Sequence, residues 1–209
     1  MAVAFATAMG LAYNRRMSAW FDDVAEAITE LQDRSDDWPP LEDLADNDAF
    51  VDAVVAATRA AQGTAHQDKL QALRNGVLNS LGPNAPTADE QARFFRLVDQ
   101  LTPSHLRLLT FLHDPGAAFA AAGVQRPDIA MGGRMSLLEQ LPDFRNRPRE
   151  WIDLLTKDLG DAGLTNLGGL HTMQTGASLW TSATSGLGDR FLAFVTAPPQ
   201  LTEGGGVDE

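Results

Sequence analysis

The chain has 209 residues, 44% of them hydrophobic and 7% aromatic, a net charge of −12 and no cysteine. That length supports a core without covalent staples, and the lack of cysteine excludes disulfides, Cys-based zinc centres and thiol nucleophiles. The charge is uneven: residues 1–100 hold 8 basic and 16 acidic groups, residues 101–199 hold 8 and 9, and the last ten add three acids. An acidic first half repels phosphate backbones and anionic lipid heads, and the absence of cysteine fits a reducing, cytoplasmic location.

The N-terminus reads Met1-Ala-Val-Ala-Phe-Ala-Thr-Ala-Met-Gly-Leu-Ala-Tyr13, followed by Asn14-Arg15-Arg16. A secretory signal carries its positive charge before the apolar run, and here the arginines follow it. The run is also shorter than the roughly 20 residues that span a bilayer. It predicts a helix start that packs on the core or on a partner, with Val3, Phe5, Met9 and Leu11 as partner-binding residues. Interfacial membrane contact through residues 1–13 is the alternative.

The first helix is predicted over 3–33, with Phe21, Val24, Ala25, Ile28 and Leu31 on one face and Asp22, Asp23, Glu26, Glu30 and Asp33 on the other. Ser35-Asp-Asp-Trp-Pro-Pro breaks it. A second helix is predicted over 48–61 with Phe50, Val51, Val54 and Val55 as its stripe. A third opens at a Thr64-x-x-Gln67 capping box and carries Leu70, Leu73, Val77, Leu78 and Leu81 before Gly82-Pro83 stops it. Thr87-Ala-Asp-Glu90 caps a fourth, with Phe94, Phe95, Leu97, Val98 and Leu101 as its apolar set. Helices joined this way make a bundle.

A fifth helix begins at Thr102-Pro103, where proline's missing amide costs least. Leu106, Leu108, Leu109, Phe111 and Leu112 make it apolar nearly all round. Residues 117–122 read as a turn or two of helix, and 123–133 as loop. Ser136-Leu-Leu-Glu139 is a third capping box, with Pro142 keeping its helix short or kinked. Pro148 opens the next helix, which holds Trp151, Ile152, Leu154, Leu155 and Leu159. Leu164 to Thr184 has no helical period, and Leu170–Met173 is predicted to pair with Ser178–Thr181 as a β-hairpin. A last helix starts at Ser185 and ends before Pro198-Pro199.

The order helix, helix, helix, hairpin, helix over 101–199 resembles a winged helix-turn-helix of the kind found in MarR-type bacterial regulators. The residues carrying the likeness are Ala162-Gly163-Leu164 after the candidate recognition helix, and Thr184-Ser-Gly-Leu-Gly188-Asp-Arg-Phe-Leu at the start of the last one. The resemblance implies a DNA-binding fold, with Arg145, Arg147 and Arg149 in the turn and at the start of the recognition helix, where phosphate contacts are made. Two features depart from it. Residues 165–188 contain no Lys or Arg, whereas a wing that grips a minor groove needs cations. The recognition helix itself sets Arg149 and Lys157 against Glu150, Asp153 and Asp158.

No catalytic, metal or cofactor motif emerges. His105 and His113, eight residues apart, point about 80° from each other on one helix, and neither His66 nor His171 completes a ligand spacing. Gly186-Leu-Gly188 lacks the third glycine and the acidic partner of a dinucleotide loop. The acidic pairs Asp22–Asp23 and Asp36–Asp37 sit on exposed patterns. The expected fold is mainly α: a helical bundle over 1–100, a winged-helix-like unit with one small β-hairpin over 101–199, and a disordered tail over 200–209. The expected function is that of a non-enzymatic interaction or scaffold protein, without cofactors, self-associating as a homodimer or holding another protein partner through its first helix. A DNA-binding regulator, disfavoured by the charge, and a peripheral membrane protein are the alternatives.

Overall fold

The computed structural model describes residues 2–34, 38–82 and 84–202; the side chains of Ala2, Val3, Leu41 and Thr202 fall outside that description. The protein is mainly helical with one small antiparallel strand pair, and its described residues form two compact units. The first takes the chain up to Gln100 and again from Phe194; the second is Leu101–Ala193.

The first unit contains α1 (Ala2–Arg34), α2 (Leu41–Ala45), α3 (Asp48–Gln62), α4 (Gln67–Asn79) and α5 (Ala88–Gln100). Local chemistry sets several of their ends. The Asn47 side chain accepts the Phe50 amide at the start of α3, and Glu90 accepts the Thr87 amide at the start of α5, which completes the expected Thr87–Glu90 box. α4 begins at Gln67, not Thr64, because the Thr64 hydroxyl is already engaged by the His66 amide.

The buried faces differ from the predicted stripes in an instructive way. α1 buries Met17, Trp20, Val24, Ala27, Ile28 and Leu31, while Phe21 stays half exposed. α3 buries Phe50, Ala53, Ala57, Ala60 and Ala61 and leaves Val51 and Val55 outside. Small side chains on the inner face let neighbouring helices approach closely, so alanines rather than valines form that contact. Trp20 Nε1 donates to Thr58 Oγ1 at 3.1 Å, and Arg74 pairs with Asp23 at 3.1 Å, tying α1 to α3 and α4.

The C-terminal stretch rejoins this bundle on α4. The Asn75 amide donates to the Val195 carbonyl at 2.9 Å, and the Asn79 amide donates to the carbonyls of Phe194 and Thr196 at 2.9 and 2.8 Å. The Phe194 ring packs 5.4 Å from Phe94 and 5.1 Å from Phe95. It lies over Gly76, where an added Cβ would come within 2.8 Å of it and 2.9 Å of Phe95. Pro199–Thr202 then form α12, and Arg34 reaches the carbonyls of Gln200 and Leu201. Residues 200–202, expected in a disordered tail, are therefore helical. Residues 203–209 and the Asp36–Asp37 pair lie outside the described residues.

The second unit contains α6 (Pro103–His113), α7 (Pro115–Ala121), β1 (Met131–Gly132), α8 (Met135–Leu138), α9 (Arg149–Asp161), β2 (Gln174–Thr175), α10 (Gly176–Leu179) and α11 (Gly186–Val195), whose last two residues belong to the first unit. The core is built from Leu108, Leu109, Phe111 and Leu112 of α6 and Ile152, Leu155 and Leu159 of α9, joined by Leu137, Leu138, Leu164 and Phe191. The strand pair is present, but not between Leu170–Met173 and Ser178–Thr181. β1 pairs with β2, Met131 opposite Thr175 and Gly132 opposite Gln174. Thr175 instead caps α10 by accepting the Ser178 amide, which draws 176–179 into a helical turn. A single bridge, Thr165 to Thr184, closes the intervening excursion.

Ser136 is no cap either. Its hydroxyl donates to the Gly133 carbonyl inside the short α8, which begins at Met135. Pro148 is the residue before α9 rather than its first. Ser185 does open α11, accepting the Gly188 amide at 3.0 Å. Gly188 is required there: a Cβ would fall 2.1 Å from the Leu164 carbonyl oxygen.

Replacing Gly76 by Ala improves intrinsic helix propensity by about 1 kcal/mol, yet it drives a methyl into Phe194 and Phe95. The expected outcome of Gly76→Ala is a net loss of ~1–3 kcal/mol in urea unfolding, relieved when Phe194→Leu is added.

Candidate functional site

The feature that departs furthest from an ordinary globular surface is the first third of α1. Every residue from Ala4 to Arg15 is exposed, whereas Met17 and Trp20, two and five residues further on, are buried. Phe5 is 69% exposed, Leu11 66% and Met9 54%. The bundle's edge on this helix is marked by Arg16, which donates to the Gln62 carbonyl at 2.7 Å. N-terminal to it, α1 runs on as a helix without burying any described side chain. Three of the four expected partner-binding residues, Phe5, Met9 and Leu11, therefore stand clear of the core. The side chain of the fourth, Val3, is outside the description. Phe5 and Met9 lie one turn apart, while Leu11 points away from them.

The three arginines of the candidate nucleic-acid site are exposed and lie close together in the chain, but two are occupied. Arg149 Nε donates to Glu139 Oε1 at 2.6 Å, and this bond holds the Glu139 carboxyl below its usual range while raising the guanidinium's own pKa. Arg145 donates to the Gln140 carbonyl at 3.1 Å. Asp143, in the same turn, pairs with Arg107 at 3.0 Å. The outward face of α9 carries Trp151, Leu154, Glu150 and Asp161, and Lys157 is paired with Asp161. That face is apolar and acidic. α9 turns Trp151 and Leu154 outward and gives Ile152, Leu155 and Leu159 to the core.

Each histidine of the second unit holds a carboxylate. His105 Nδ1 accepts the Thr102 amide at 3.1 Å, which completes a box at the start of α6 and leaves Nε2 as the protonated nitrogen, facing Asp158 Oδ2 at 3.3 Å. His105 is buried, and desolvation lowers its pKa below the ordinary 6.5, with Asp158 opposing the shift. His171 Nε2 lies 3.0 and 3.1 Å from the two Asp153 oxygens. His113 Nδ1 lies 3.0 Å from Asp189, which also accepts the Thr184 hydroxyl. Each pair is separate. Among the described residues, no group of three or more His, Asp or Glu is placed to hold a metal ion, and no helix is long and apolar enough to cross a membrane.

Sequence reading missed an open groove of about 510 Å³ lined by Arg126, Asp128, Ile129, Thr175, Gly176 and Trp180, among others. Arg126 stacks 4.0 Å over the Trp180 ring, whose edge meets Phe119 at 5.2 Å. The lone tryptophan of an otherwise Gly- and Thr-rich segment was the available signal, but its partners lie more than fifty residues away in sequence. No family model, curated protein or solved structure matches the chain.

Because the folded pKa of His105 lies below its unfolded value near 6.5, the unfolded chain binds the extra proton first as pH falls. The His105 contribution to stability is therefore full above about pH 6.5 and is lost as pH drops from there through the folded pKa. Replacing His105 with Gln keeps an acceptor for the Thr102 amide. The His105→Gln variant should show a flatter dependence of urea midpoint on pH below about 6.5 than the parent.

Proposed function

We propose that this is a non-enzymatic interaction protein that self-associates through residues 2–14 of α1. The observation that carries the reading is the unbroken exposure of residues 4–15 in a helix that otherwise buries an apolar stripe. A helical stretch of about fourteen residues is marginal in water without tertiary packing, and exposed apolar surface rimmed by polar groups marks association sites. The winged-helix resemblance of the second unit fits the same reading as a contact module. The apolar and acidic face of α9 supports protein contact over phosphate contact.

Analytical ultracentrifugation checks this. The parent chain should sediment as a concentration-dependent dimer and a variant lacking residues 2–13 as a folded monomer. A dimer that survives the deletion would overturn the reading. The regulator alternative predicts duplex binding that weakens steeply with salt and is lost when Arg145, Arg147 and Arg149 are all changed to Ala. The expected result is no such binding at low salt.

A further inference from the structure

Beyond that reading, we infer that the groove between the 124–130 segment and α10 binds a free α-amino acid with an apolar side chain, its carboxylate held by Arg126 and its ammonium by Asp128.

The groove is preformed. Gly176 stands so close to the 124–130 segment that an added Cβ would fall 2.0 Å from the Ile129 carbonyl oxygen, and the Gly176 amide donates to the Ala130 carbonyl at 2.8 Å. Backbone meets backbone there, which only glycine allows, and the segment is fixed against α10. Trp180 forms another part of the lining. Its edge contact with Phe119, a residue 1% exposed, sets the angle of the indole. The indole in turn holds the Arg126 guanidinium over its ring at 4.0 Å. The groove's volume of about 510 Å³ lies within the roughly 300–1,000 Å³ of small-ligand sites.

What the groove lacks is an acceptor. Stacking uses the face of the guanidinium and leaves its N–H groups free at the edge, in the fork that matches a carboxylate. Among the described residues no carboxylate comes within ion-pair distance of Arg126, and no acceptor takes its N–H groups. The Trp180 indole N–H is likewise open to solvent and without an acceptor among the described residues, whereas that of Trp20 donates to Thr58. Two kinds of donor, stacked one on the other, thus stand in one groove.

Charge and lining narrow the ligand. Asp128 lines the same groove, and its Cα lies at most about 7 Å from that of Arg126 along the chain. A phosphate would gain Arg126 against the repulsion of Asp128. A zwitterion answers both charges, which are of opposite sign and sum to zero. Ile129, Ala130 and Ala177 supply the apolar part of the lining, which favours an apolar side chain over a polar one.

Titration of the full chain with L-leucine, followed by the Trp180 indole N–H signal in a proton–nitrogen correlation spectrum, tests this. Trp180→Phe identifies that signal among the four tryptophans. The expected result is a saturable shift of this signal alone, half complete at about 1 mM or below. N-acetyl-leucine, leucine amide and glycine, each lacking one of the three recognised groups, should bind at least ~tenfold more weakly. Arg126→Gln should abolish the shift. Asp128→Asn should weaken leucine at least ~fivefold and leave N-acetyl-leucine unchanged. The other indole signals, unmoved in both variants, show that the fold is kept. Absence of a shift with leucine, a shift that survives Arg126→Gln, or an equal shift with inorganic phosphate would overturn the site. N-acetyl-leucine binding as tightly as leucine would remove Asp128 and with it the amino acid. None of these outcomes touches the sedimentation test of α1.

Discussion

The first unit depends on how α4 receives the end of the chain. Asn75, Gly76 and Asn79 present two amides and a bare backbone on one face, and the Phe194–Thr196 segment fits that face by hydrogen bonds and by one ring. Burying a phenylalanine is worth about 1.5–3 kcal/mol, and the amides satisfy carbonyls at the C-terminus of α11 that the helix itself leaves unpaired. Because Phe194 returns to the bundle, the second unit is an insertion in sequence: the chain leaves the first unit after Gln100 and comes back to it at Phe194. Completing the first unit therefore requires closing a loop of more than ninety residues, an entropic cost that grows only slowly with length.

That return was not legible in the sequence, and the reason is physical. Helix existence follows from local periodicity and caps, so α1, α3, α5, α6, α9 and α11 could all be read from apolar spacing with Thr87, Thr102 and Ser185 as starts. Long-range acceptance has no local signature: Asn75, Gly76 and Asn79 look like weak points in a helix until their partners 115 and more residues away are known. The same limit explains the strands. β1 and β2 are two residues each and lie far apart in sequence, whereas the pattern of 164–184 suggested partners close at hand. The turn at Thr175–Gly176 went to a helix because a hydroxyl cap outcompeted strand pairing.

Which side of a helix faces inward was the other weak point. Hydrophobicity alone ranks Val51 and Val55 above Ala53 and Ala57, and Phe21 above Ala27. The packed structure prefers the small residues wherever two backbones come close. Position along the helix, not hydrophobicity, separates buried from exposed side chains, and the same ordering gives the projecting third of α1 its meaning. Its exposed Ala6 and Gly10 fall on the line that Met17, Trp20 and Val24 follow into the core. The candidate arginines are exposed, Arg145 and Arg147 in the turn and Arg149 at the start of α9, and the partners Glu139 and Gln140 could be assigned only once that turn was folded.

The second unit holds its least regular region with Arg134, a guanidinium that is almost wholly buried and donates to the carbonyls of Ser178 and Leu179 at the end of α10. Its acceptors are peptide oxygens, which do not titrate, and burial shields the contact from salt. The exposed ion pairs of the same unit, Arg149 with Glu139 and Arg107 with Asp143, weaken when acid or salt rises. The joint at Arg134 is thus indifferent to the two solution variables that loosen its neighbours. On acidification Glu139 takes up its proton only below the usual carboxylate range and then lets go of Arg149, whereas the Ser178 and Leu179 carbonyls have no proton to gain and keep Arg134.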